Sequence, residues 1–136
     1  MTWADCSFQG RRTCLHYNVR VMNWGEVELE PEVDKWFDSL SQEDQETAVF
    51  YVDLLAWRGV LLDEPHTRQL RGKLRELRFH LSQEAVRITY WIASGRRIIL
   101  LTVFRRQRMR ETAEVERAVR AMNRCIAEAH TADEDE

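Results

Sequence analysis

Arginine carries the planar, doubly donating fork that fits a phosphate, and this chain concentrates it in one region. Residues 66–110 hold twelve Lys/Arg against two acids, Glu76 and Glu84, a net of +10, while the whole chain is −3. Residues 26–64 hold twelve acids and two bases. A mildly acidic pI of about 5.9 therefore conceals a basic half and an acidic half. Basic density of this kind is an electrostatic footprint for a polyanion. The plainer account is a solvated face neutralised by the acidic half.

Strand alternation says where several of these cations point. Arg78 lies between Leu77 and Phe79, and Arg87 between Val86 and Ile88, so each projects from the face opposite its apolar neighbours. Arg105, Arg106 and Arg108 follow the strand ending at Phe104. These positions can converge at one end and one face of a sheet, an arrangement suited to the phosphates of single-stranded RNA, with Lys73 and Arg75 among the neighbouring cations. Arg105, in the same basic run, is a catalytic candidate together with Arg78, Arg87 and His80. Phe104 and Trp91 are either stacking surfaces for unpaired bases or core residues. Arg87 has a second account, a cross-strand ion pair with Glu76 or Glu84. His80 is the only nearby group whose ordinary pKa lies close to neutrality, which makes it the default proton-transfer residue.

Other site types are missing. The five glycines are isolated, so no phosphate loop is encoded. Neither G-x-S-x-G nor H-E-x-x-H occurs. The cysteines at 6, 14 and 125 form no Cys-x-x-Cys pair, and the histidines at 16, 66, 80 and 130 are scattered. No metal site, disulfide framework or cofactor is expected.

The elements that must position these residues follow from periodicity. Pro31 suits a first helical turn, and Val33, Trp36, Phe37 and Leu40 continue at helical spacing. Ser41 suits an N-cap; Val49, Val52, Leu55 and Ala56 mark a buried face, and Gly59 a stop. These two helices predict an αα-hairpin with an acidic outer surface. Leu77, Phe79 and Leu81 alternate, as do Val86, Ile88, Tyr90 and Ile92. Ser94-Gly95 is a hairpin turn, and the apolar run 98–104 is a central strand covered on both faces. A last helix is predicted over 112–129. The order α-α-β-β-β-α, with a further short strand near 66–71 and room for one before the first helix, predicts an α+β fold. In it, an N-terminal αα-hairpin packs on a small antiparallel sheet with a C-terminal helix. Residues 22–129 form the single domain, 1–21 a flexible extension and 130–136 an acidic tail. With no secretory h-region and no apolar run long enough to span a bilayer, the expected location is cytoplasmic, with no membrane partner.

The stretches "RQLRGKLRELRF", "VRITYWI" and "IILLTVFRRQRMRETAEVERA" carry a resemblance to the HigB-type toxins of the RelE/ParE superfamily, in the phage-derived, HigB-like branch. The resemblance covers roughly residues 24–125. It implies a RelE-like microbial RNase fold and a type II toxin–antitoxin system. It also implies ribosome-dependent, metal-independent cleavage of mRNA, and a helix-turn-helix antitoxin of HigA type that alone touches operator DNA. The family's basic strand residues map to Arg75 and Arg78, the arginine of the next strand to Arg87, and the basic run to Arg105, Arg106 and Arg108. His80 matches a histidine found after "ELR" in some relatives. Thr112 stands in the region where RelE has a tyrosine, and Arg105 and Arg106 replace common lysines. Arginine stays charged, so it suits transition-state stabilisation and is a poor general base. Two other readings stand beside this one. The first is a ParE-like poison of DNA gyrase that cuts no RNA. The second is an inactive member that retains antitoxin binding.

Overall fold

In the computed structural model the described residues are 7–8, 11–13, 23–82, 84–106 and 111–133, with side chains described over 23–82, 84–106 and 111–128. Among these residues seven strands form one sheet: β1 (Ser7–Phe8), β2 (Arg11–Thr13), β3 (Glu26–Leu29), β4 (Thr67–Arg71), β5 (Leu74–Leu81), β6 (Glu84–Ala93) and β7 (Arg97–Arg105). The helices are α1 (Pro31–Asp38), α2 (Gln42–Arg58), extended by a 3-10 turn at Gly59–Leu61, and α3 (Glu111–Asp133). The sheet order is β1-β2-β3-β7-β6-β5-β4. Among the described residues no helix is long and apolar enough to cross a membrane.

The β4–β7 meander is antiparallel, as the alternation predicts. The sheet as a whole is not: β3 runs parallel to β7, with Val27 opposite Ile98 and Leu29 opposite Leu100. A parallel neighbour requires a crossover, and the whole stretch from α1 through β6 supplies it. Residues 1–21, expected to be a flexible extension, include the short strands β1 and β2. The last helix, expected to stop at 129, runs to Asp133 and takes in part of the expected acidic tail. The rest of the tail lies outside the described residues.

Local chemistry explains the helix boundaries. Pro31 opens α1 at a position that needs no N–H donor. The Ser41 hydroxyl accepts from the Asp44 N–H and caps α2. Gly59 ends α2 at φ 54°, ψ −123°, a conformation closed to side chains. A Cβ there would also stand 2.2 Å from the Trp24 ring.

Two apolar clusters lie on opposite faces of the sheet. On one, α1 and α2 bring Val33, Phe37, Ala48, Val52 and Leu55 onto Leu77, Phe79, Val86, Ile88 and Leu100. On the other, α3 brings Ala118, Ala121, Met122 and Cys125 onto Leu74, Trp91, Ile99 and Leu101. Strand β7 is buried on both sides over most of its length, which accounts for its near-continuous apolar run. The layers are joined past the end of β3. There the Glu32 carboxylate of α1 accepts from the Val103 N–H (3.0 Å) and pairs with Arg117 of α3.

One irregularity sets the phase of β7. Thr89 faces Thr102 while Tyr90 faces Leu100, so Leu101 is an extra residue, a β-bulge. Beyond it the alternation reverses. Thr102 falls on the α3 face, its hydroxyl 2.6 Å from that of Thr89, and Phe104 follows it there opposite Arg87. Arg105 is turned to the other face.

Two substitutions test this account. Gly59→Ala is expected to lose at least about 2 kcal/mol, from backbone strain and the Trp24 contact. Ser41→Ala is expected to lose about 1 kcal/mol. Urea unfolding at matched m-values checks both; equal losses would contradict the special role given to Gly59.

Candidate functional site

The α3 face of the sheet is built in rows across the strands. Beside the apolar patch under α3 runs a polar row in which Arg68, Glu76, Thr89 and Thr102 are successive cross-strand partners. The next row sets Arg78 directly opposite Arg87, and Arg87 opposite Phe104. His80 lies two residues beyond Arg78 on the same face and is exposed. Its partner Ala85 accepts a hydrogen bond from the Arg106 N–H at 2.9 Å.

Two arginines side by side repel, and Glu76 makes the arrangement possible. Its Oε2 is 3.7 Å from Arg78 Nε and 3.7 Å from Arg87 Nε. Glu76 is 2% exposed and Arg87 4%. Burial pushes the Glu76 carboxyl above its ordinary 4.5, outweighing the pull of Arg87 and Arg78. Burial likewise lowers the pKa of Arg87, against the opposing pull of Glu76. An arginine stays charged at neutral pH all the same. Arg68 and Arg106 add positive potential, and Glu111 at the start of α3 adds negative. Four arginines thus surround two carboxylates.

The Arg87 fork is incompletely used. Nη1 donates to the Val86 carbonyl (3.3 Å), while Nε is buried without a hydrogen-bond acceptor among the described residues. That Nε faces the Glu76 carboxylate at 3.7 Å, beyond hydrogen-bond reach. No group of three or more metal-ligating side chains occurs among the described residues.

Of the residues singled out from sequence, Arg78, Arg87, His80 and Arg106 share this face. Arg75 does not. It lies on the opposite face, its guanidinium bound to the Tyr90 hydroxyl (3.4 Å) and the Thr67 hydroxyl (3.0 Å). Arg105 is also on the opposite face, in an exposed ion pair with Glu84 at 2.6 Å. Lys73 sits in the β4–β5 turn, five residues along the chain from Arg78. Trp91 and Phe104 are buried, so neither ring presents a face to a base. Arg108 lies outside the described residues. Sequence reasoning named Glu76 only as one of two cross-strand partners for Arg87; its place as counter-ion to both arginines follows from strand register.

Fold and site together define a small α+β protein with an arginine row on one sheet face, held by a buried carboxylate. Residues 35–125 match the family model described as "Phage derived protein Gp49-like (DUF891)". With two thirds of its length matched, the chain belongs to this family, a toxin–antitoxin-related toxin family associated with RelE/HigB-like toxins. An antitoxin partner in general follows from that membership. No curated protein matches the chain.

Glu76 gives a pH prediction. A carboxyl whose folded pKa is raised contributes stability that is full below the unfolded value and lost as pH rises through the folded one. Glu76→Gln removes that loss. The Tm difference, variant minus wild type, is therefore expected to rise from about pH 4 upward. A difference that falls over this range would contradict the buried-carboxylate account. Arg87→Ala strands Glu76 and is expected to cost about 3 kcal/mol at pH 7 by urea unfolding.

Proposed function

We propose that the protein is a HigB-like toxin, an endoribonuclease that cleaves mRNA on the ribosome and is neutralised by a helix-turn-helix antitoxin of HigA type. The observation that carries the reading is the Arg78–Arg87 pair, two cations held side by side on one face by a single carboxylate. RNA brings its own nucleophile. The 2′-oxygen attacks the adjacent phosphorus, a P–O2′ bond forms, and the P–O5′ bond breaks. The products are a 2′,3′-cyclic phosphate and a 5′-hydroxyl. The protein's task is to align the attack and stabilise charge on the phosphate oxygens, which needs no metal ion. Arg78, partly exposed on the rim, reaches the phosphate first, and Arg87 stabilises it from below. His80 is the group on this face that moves a proton: the 2′-hydroxyl loses its proton to His80 or to water, and the leaving O5′ gains one from the other. Arg106 binds a flanking phosphate.

One observation favours the non-nucleolytic alternatives, a gyrase poison or an inactive member. Arg87 is almost wholly buried and already has a counter-ion.

Primer extension on a defined mRNA in a purified translation system separates the readings. Wild type is expected to give ribosome-dependent cuts. Arg78→Ala is expected to lower the cleavage rate about 100-fold, the scale for losing one transition-state donor. Arg105→Ala, on the other face, is expected to change it less than about threefold, in keeping with an exposed ion pair. No cutting by a wild-type chain that still arrests growth would overturn the nuclease reading and direct attention to gyrase supercoiling.

A further inference from the structure

Helix α2 is apolar on two opposite sides. At about 100° per residue, Ala48, Val52 and Leu55 occupy the side turned to the sheet, which is all that folding requires. Phe50 and Trp57 form a second stripe about half a turn away, flanked by Leu54, which packs in part on the core, and Val60 and Leu61 prolong it through the 3-10 turn. Phe50 is 62% exposed, Trp57 52%, Val60 63% and Leu61 71%; these are the large exposed apolar side chains among the described residues. Scattered exposed apolar residues are ordinary, whereas a set gathered on one element marks a contact surface. The expected acidic outer surface is present only in part: the first turns of α2 are acidic and the second half carries this stripe.

The border of the stripe identifies the partner's chemistry. Residues 42–64 contain six acids and one base. Glu46 and Asp53 lie one turn to either side of Phe50, and Asp63 and Glu64 follow Leu61. The one cation, Arg58, lies against the Trp57 ring at 5.7 Å. An anionic membrane is repelled by such a border. A second copy docked antiparallel through the same stripe would set Glu46 and Asp53 on the same flank as their own counterparts. An apolar stripe with carboxylates along it fits the opposite pattern.

We infer that the Phe50–Leu61 stripe is a docking site for an amphipathic helix of a second polypeptide, with apolar residues at i, i+3/i+4, i+7 spacing and Lys/Arg on its flanks. On the toxin reading this helix belongs to the antitoxin, and only that assignment rests on the reading. The stripe lies on the sheet face opposite Arg78 and Arg87, so the partner is held from behind the arginine row.

Calorimetric titration of the full chain with two synthetic 18-residue helical peptides tests this. One carries leucines at the stated spacing with lysines elsewhere, the other the same leucines with glutamates. The lysine peptide is expected to bind and the glutamate peptide not to. The triple variant Phe50→Ser, Trp57→Ser, Leu61→Ser is expected to bind the lysine peptide at least tenfold more weakly. Its side chains are exposed, so its Tm stays near wild type. Arg78→Ala is expected to bind as wild type does. Absence of binding, equal binding of both peptides, or an unaffected triple variant would overturn the inference. So would wild-type dimerisation in sedimentation, or adsorption to phosphatidylglycerol vesicles, that the triple variant loses. A chain that binds the lysine peptide but neither cuts RNA nor arrests growth retains the docking site and loses the toxin reading.

Discussion

The extra residue in β7 is the constraint on which the arginine face depends. A strand alternates its side chains with period two, so a single inserted residue exchanges the faces of everything beyond it. Leu101 is that residue. It lets Leu100 and Leu101 serve the two clusters in succession, Leu100 under α1 and α2 and Leu101 under α3. It then brings the Thr102 hydroxyl to Thr89 and places Phe104 beside Arg87. Without the bulge, Val103 would stand opposite Arg87 and Phe104 would face the other cluster.

Burying a charge pair costs more in desolvation than a loose ion pair returns. The Glu76–Arg87 contact, at 3.7 Å, is not optimised for stability. Its value is arrangement: one carboxylate keeps two cations on adjacent strands from turning apart. The rest of the sheet supplies the stability that this arrangement consumes, through two apolar clusters and the Glu32–Arg117 link around the end of β3. The division is common in functional sites, where groups are held ready by surroundings that gain more than the site loses.

The parts legible in the sequence are those fixed by local physics. Pro31, Ser41 and Gly59 announced helix boundaries because caps and forbidden φ values act over a few residues. The alternation of Leu77, Phe79 and Leu81 told which way Arg78 points, and the same logic served Arg87. What escaped depends on distant pairing. No local signal separates the bulge at Leu101 from an unbroken apolar run, so the face of Arg105 was not readable. Arg75 lies next to Glu76, and parity alone sends it to the other face, where Tyr90 and Thr67 hold it; grouping it with Arg78 by charge overlooked that. The parallel pairing of β3 with β7 needs a crossover that four residues cannot advertise. Trp91 and Phe104 are aromatic on a basic face, and only the packing of α3 and the reversed phase of β7 show that they are covered.

The open edge of the sheet gives part of the basic charge a further consequence. Strand β4 is the last in the sheet order and, among the described residues, pairs on one side only, with β5. An unpaired row of N–H and C=O groups invites the strand of another molecule, the first step of aggregation. Arg68 and Arg71 are exposed along this edge, and Lys73 is exposed in the turn that follows. Two such edges approaching each other would meet like charge against like charge. These cations keep sheets of neighbouring molecules apart, a service to solubility that demands no ligand at all.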